Sequence, residues 1–285
     1  MSPILMLVKC LLLPGAVALV LFLVFRWLAG RIGATPNDGG VAAAASLAFA
    51  YAAGHAAIAA PAFPPVDVTD RVSWIARASL LAALASSAAA ERPLWRWVNR
   101  VLFSALTVVA MIGPILAERS QTWTGLLWIV AVVAVFVFSW ANIDALDDRV
   151  SPATLGVSLI LIVFGTALAL AVSGSVVLGQ LCAALGASLV VVVALARGST
   201  LRAGLGPVCS TVLGALLIDG GVYSELPAAV AVLLTAAPLT LWTARLPVLV
   251  RLRGWQRTLA VALMTILPVA LAVVLSFSDS PRYEE

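Results

Sequence analysis

Ten mostly apolar stretches follow one another along the chain, at about 4–26, 41–60, 72–90, 98–117, 122–142, 153–173, 175–196, 203–218, 226–243 and 258–277. Charged and turn-forming residues punctuate them. A stretch of about 20 residues rising about 1.5 Å per residue matches a hydrocarbon core about 30 Å thick. The stretches are continuously apolar, where a barrel strand facing lipid would alternate over about ten residues. The pattern therefore predicts an all-α polytopic bundle of about ten transmembrane helices. The weakest stretch is 41–60, VAAAASLAFAYAAGHAAIAA, because alanine supplies less hydrophobic drive than leucine and His55 adds a cost. It is expected to need neighbouring helices to remain buried.

The connections are short, so residues 1–285 are expected to form a single transmembrane domain with no separate soluble one. The longest are Ala34–Gly40, Pro61–Arg71 and Leu246–Arg257. Pro61, Pro64 and Pro65 stiffen the second against helix formation. In the third, Val248, Leu249, Val250, Leu252 and Trp255 mix with Arg251 and Arg253, which suits a segment lying in the membrane interface. At the N terminus, Lys9 and the apolar Cys10–Phe25 resemble a signal sequence. The residues that follow, Arg26, Trp27, Leu28, Ala29, Gly30 and Arg31, make a poor cleavage site and a good membrane exit, which favours a retained span.

Composition supports the membrane assignment: 63% of residues are hydrophobic and 11% charged, against roughly 25% charged in soluble proteins. The net charge of +4 does not signal nucleic acid, because the arginines sit singly or in small groups between apolar stretches. Counted on alternate sides, Arg26, Arg31, Arg92, Arg96, Arg100, Arg149, Arg197, Arg202, Arg245, Arg251, Arg253 and Arg257 fall on one side. Lys9, Arg71, Arg77, Arg119 and Arg282 fall on the other. Twelve against five favours the first side as cytoplasmic and both termini as external. Lys9 is the contrary signal. A nine-span chain in which 41–60 does not cross would satisfy it, but would strand Arg26 and Arg31 outside. Sixteen arginines and one lysine suggest a high-GC bacterial genome, hence the bacterial inner (plasma) membrane. Trp27, Trp95, Trp97, Trp140, Trp242 and Trp255 fall near the arginine-rich interface and Trp74 and Trp123 near the other, as an aromatic belt would place them. Trp128 falls deeper. Gly113-Pro114 and Ala237-Pro238 faintly echo each other at matching places in two five-helix halves.

No nucleotide, zinc-protease, serine-hydrolase or cysteine-metal motif occurs, so no cofactor or metal is expected. Cys10, Cys182 and Cys209 read as packing residues. Gly204, Gly206 and Pro207 read as a bend or close contact, and Gly179, Ala183, Ala187, Ser210 and Gly214 as small positions for close helix approach. His55 is the single histidine, with Tyr51 one turn earlier on the same face. Around that end of the bundle the chain brings Asp67, Asp70, Arg71, Arg77, Glu118, Asp219 and Glu225. His55, Tyr51, Asp67, Asp70, Arg77, Glu118, Asp219 and Glu225 form the candidate polar cavity, with Arg77 as an anion or carboxylate anchor and His55 as a proton exchanger. The competing reading has Arg77 snorkel to the interface and His55 bond a backbone carbonyl. On the arginine-rich side, Asp144, Asp147, Asp148 and Arg149 read as a hydrated turn, and Arg92, Arg96 and Arg100 as an anchor on anionic headgroups. The expected partners are membrane lipids, a small solute and another membrane protein. Many short-looped helices suit a small-solute transporter. An outer-leaflet enzyme using His55 and nearby acids, or a structural subunit of a membrane complex, are the alternatives.

Overall fold

The computed structural model describes residues 3–32, 38–89, 91–119, 123–147, 149–196 and 204–279; no strand occurs among them. The helices are α1 (3–32), α2 (Asp38–Ala59), α3 (Val68–Ala88), α4 (Pro93–Arg119), α5 (Trp123–Asp147) and α6 (Pro152–Val172). They continue with α7 (Val176–Leu195), α8 (Leu205–Tyr223), α9 (Ala228–Arg245), the short α10 (Pro247–Val250) and α11 (Gly254–Asp279). Nine of the described helices are long and apolar enough to cross a membrane, so the chain is a multi-pass helical membrane protein. The long helix outside this set is α3, and the alanine-rich α2 is within it. Asp70, Arg71 and Arg77 dilute the apolar character of α3.

Contacts between helix ends show that α3 runs alongside the others. At its start, Thr69 Oγ1 donates to Asp219 Oδ2 at 2.9 Å and Arg71 Nη1 to the Ala110 carbonyl at 2.7 Å. At its far end, Asn99 Nδ2 donates to the Ala82 carbonyl and to Ser86 Oγ, at 2.9 and 2.7 Å. The start of α3 thus meets the ends of α4 and α8, and its end meets the start of α4. An up-down bundle requires this arrangement.

The most enclosed helices are α8 and α2, while α1, α5 and α11 present most of their surface outward. The helix α8 packs against α2, α3, α4 and α5, and every residue from Leu205 to Leu213 is buried. A helix apolar all round belongs inside. Alanine-rich α2 lies against α1, α3 and α7, which keeps it buried as expected. Outside, Leu94, Val98, Val101, Leu102 and Leu106 on α4 and Leu259, Leu263, Leu267 and Leu271 on α11 form exposed apolar stripes at helical spacing. Continuous stripes of that size suit acyl chains.

Small residues set the close approaches. A Cβ at Gly179 would lie 2.8 Å from the Ala167 carbonyl oxygen, at Gly214 it would strike Phe136, and at Gly204 the Gly40 carbonyl oxygen. Gly179 and Gly214 thus serve contacts with α6 and α5. Several buried hydroxyls bond to their own helices: Ser46 to the Ala42 carbonyl, Thr166 to Ile162, Ser188 to Ala184 and Thr211 to Pro207. Such back-bonds satisfy a polar group where no water is present.

Several helices extend beyond their apolar stretches. The helix α4 begins at Pro93, α5 continues to Asp147 and α11 begins at Gly254. Arg100, Asp144 and Arg257 near these ends have partners in the bundle, so charge there does not end the helix. Asp219 was expected just after its span; instead α8 continues through a π-helical turn at Asp219–Tyr223. The helix α9 changes from α at Ala228–Ala236 to 3₁₀ at Ala237–Arg245. Gly113 and Pro114 lie within continuous α-helix, so the two proline sites differ in backbone.

Gly204→Ala is expected to lower thermal stability in detergent by the equivalent of about 1–3 kcal/mol, because one side of the clash is backbone and no rotamer relieves it. Gly113→Ala, with nothing within 4 Å of the added carbon, is expected to be neutral or mildly stabilising. Equal effects in thermal unfolding would contradict the close approach.

Candidate functional site

At the arginine-rich end, the start of α4, the end of α5 and the 3₁₀ part of α9 surround a cavity of about 430 Å³. Its charged lining among the described residues is Arg96, Arg100, Arg149 and Asp144; Asn142 adds an amide, and Trp97, Trp242 and Phe138 supply aromatic walls. Helical spacing explains the convergence. Arg96 and Arg100 are one turn apart on α4, while Phe138, Ala141, Asn142 and Ala145 follow one side of α5 and Asp144 flanks it one turn after Ala141.

The charged centre is a buried ion pair. Arg100 donates through Nε and Nη2 to the same oxygen of Asp144, Oδ2, at 3.2 and 2.8 Å. Its guanidinium also lies 5.0 Å from the centroid of Trp97. Arg96 is within Coulombic reach of Asp144. Behind the pair, a Cβ at Gly206 would strike Asp144 Oδ1 and approach the Trp140 ring. Gly206 therefore lets α8 close the floor beneath the carboxylate.

A second network holds the broken helix. Trp242 Nε1 donates to Asn142 Oδ1, and Asn142 Nδ2 donates to the Pro238 carbonyl at 3.2 Å. Proline lacks an N–H, and the change to 3₁₀ alters the carbonyl pairing. Asn142 supplies a donor from the neighbouring helix. The Trp242 ring also lies between Arg149 and Arg245, whose guanidinium carbons are 5.7 and 5.1 Å from its centroid.

Two expectations change here. Arg100 was expected to anchor on headgroups together with Arg92 and Arg96; it is buried and paired. Trp140 was expected in an interfacial belt but is wholly buried. The turn that follows α5 is only partly visible: the Asp147 side chain and Asp148 lie outside the described residues.

The sequence-predicted polar residues lie at the other end of the bundle. Tyr51 and His55 are fully buried and meet edge to face, with ring centroids 5.9 Å apart. Neither the Tyr51 hydroxyl nor either His55 ring nitrogen has a hydrogen-bond partner. His55 is within Coulombic reach of Asp70 and Arg77, and Tyr51 of Asp219. Asp70 is buried and caps α3, accepting from the Val66 and Asp67 amides at 3.3 Å each. Arg77 is half-buried, its guanidinium carbon 4.7 Å from the Trp74 ring centroid. Asp67 and Glu225 are exposed, Asp219 is buried, and the Glu118 side chain lies outside the described residues. Tyr223, which sequence reasoning passed over, donates from its hydroxyl to the Met111 carbonyl at 2.7 Å.

The fold and this cavity define an integral membrane protein with a polar recess at one end of its bundle. The sequence matches no protein-family model and no curated protein.

Asp144→Asn is expected to cost about 3 kcal/mol, near the lower end for a broken buried pair because the cavity is open to one side. The double replacement Arg100→Met with Asp144→Leu is expected to recover much of that loss. Thermal unfolding in detergent measures both, and a neutral Asp144→Asn would remove the pair from any structural role.

Proposed function

We propose that the protein is a small-solute transporter working by alternating access, with the arginine-rich end cytoplasmic and both termini external. One observation supports transport above chemistry. The recess among α4, α5 and α9 offers binding groups (guanidiniums, an amide and indoles), while its described lining contains no serine, threonine, cysteine, histidine or lysine to act as nucleophile. Its carboxylate is already engaged by Arg100. The change of α9 from α to 3₁₀ beside the recess also supports transport, because a 3₁₀ stretch within a helix often marks a functional hinge.

In this mechanism the recess is the inward-facing entrance, and the opposite end forms the closed gate. Asp219 and Thr69 join α8 to α3 there, and Tyr223 joins α8 to α4. Opening that gate would break these bonds and hydrate Tyr51 and His55, which have no protein partners to lose. His55 is then the proton exchanger, with Asp70 and Arg77 as its charged neighbours.

Reconstituted protein is expected to dissipate a trapped proton gradient when a transported organic acid is added. His55→Phe, which keeps the ring contact with Tyr51, is expected to abolish gradient-driven uptake while leaving solute exchange at equal pH. If gradient-driven uptake survives in that variant, His55 is a packing residue. For topology, a tag beside Thr200 is expected to be protected in intact cells and tags at both termini labelled from outside. A protected N terminus with a labelled C terminus would contradict the ten-crossing arrangement.

A further inference from the structure

We infer that the recess recognises an anionic amphiphile. Its acidic oxygens would be held by Arg149 and Arg96, and its apolar body would lie along Trp97 and Phe138 toward the bilayer. The inference names a substrate class for the proposed transport site and rests on that reading only for movement of the ligand.

The charge count points to an anion. Among the described lining residues three guanidiniums face one carboxylate, and that carboxylate is bonded to Arg100. Arg96 and Arg149 form no ion pair among the described residues. Arg96 is half-buried and Arg149 exposed, so their N–H groups are open to an anion from the water at the mouth of the recess. The aromatic faces also orient two of the cations. Arg100 lies over Trp97 and Arg149 over Trp242. A guanidinium held by its face keeps its in-plane N–H groups available, and their fork matches the oxygens of a phosphate or carboxylate.

The mouth of the recess explains why the anion carries an apolar body. Trp97 is 50% and Phe138 60% exposed, and both line the recess. On α4 their exposure continues into Leu94, Val98 and Val101, part of the apolar surface directed outward. Arg100 and Asn142, by contrast, are buried at the inner end. Accessible guanidiniums beside an apolar lip suit a molecule with the same division, and a small hydrophilic anion would leave the lip unused. The oxyanion chemistry is common to a bilayer lipid headgroup and to a water-soluble amphiphilic acid.

The test is thermal unfolding of the purified full-length protein in an uncharged detergent, titrated separately with octyl phosphate, dioctanoyl phosphatidic acid and octyl glucoside. A saturable rise in Tm is expected with one or both phosphates and none with octyl glucoside. A response to phosphatidic acid at equal or lower concentration assigns a lipid source; a response to octyl phosphate alone assigns a soluble amphiphile. Arg96→Gln with Arg149→Gln is expected to weaken apparent affinity at least tenfold. Arg251→Gln with Arg253→Gln, at exposed positions outside the recess, is expected to leave it unchanged. If the first pair does not fold, Arg149→Gln alone is expected to weaken affinity several-fold. No saturable shift with either phosphate, an equal shift with octyl glucoside, or equal losses in both arginine pairs would overturn the inference. Binding without flux in liposomes would reject transport and keep the site, whereas flux unchanged by the cavity variants would reject the site and keep transport.

Discussion

Hydrocarbon offers a polypeptide no hydrogen bonds, and each buried N–H and C=O must find its partner within the protein. The helix solves this locally, which is why every membrane-length segment described here is helical. Some hydroxyls follow the same rule by turning back onto carbonyls four residues earlier, as Ser46, Thr166 and Ser188 do, whereas those of Ser73, Ser104, Ser158, Ser173 and Ser210 have no partner among the described residues. Groups with no such local solution stand apart. Asn142 bonds across to α9, Asn99 across to α3, and Tyr51 and His55 remain unpaired.

Departures from α-helix therefore need support from neighbours; besides the π turn at Val8–Leu12 in α1, two of them fall beside the polar features. The 3₁₀ part of α9 is held by Asn142 and forms one wall of the recess. The π turn of α8 carries Asp219, whose carboxylate is held by Thr69. A π turn inserts a residue into a helix and frequently marks a working site. The two ends of α8 thereby differ: one closes the recess through Gly206 and the other bonds to α3 and α4. A displacement of this central helix would be felt at both, the kind of coupling that the proposed alternating access would use.

Packing density also decides where charge resides. With apolar lipid on one side and apolar side chains on the other, burial of hydrocarbon gives little reason for helices to associate; close van der Waals contact and interhelical bonds do that. Gly204 against the Gly40 backbone and Gly206 against the Asp144 carboxylate bring helices nearer than a side chain at either glycine would permit. Within such a bundle Arg100 and Asp144 serve each other in place of water. Each would be costly alone.

The sequence by itself determined the material of this protein: helices, their number to within the ambiguity of one weakly apolar segment, and the end at which arginine gathers. These follow from composition and local period, properties that a single helix carries without knowledge of its neighbours. It also exposed His55 and Tyr51 as a pair, because i and i+4 share a face. Only the tertiary structure decided which polar residues meet. Arg100 and Asp144 lie 44 residues apart, and Asn142 and Trp242 lie 100 apart, so nothing local distinguishes a paired arginine from a headgroup anchor or a networked indole from a belt tryptophan. The same long-range packing replaced an exit at Asp219 with a buried π turn, since Thr69 on the neighbouring helix satisfies the Asp219 carboxylate.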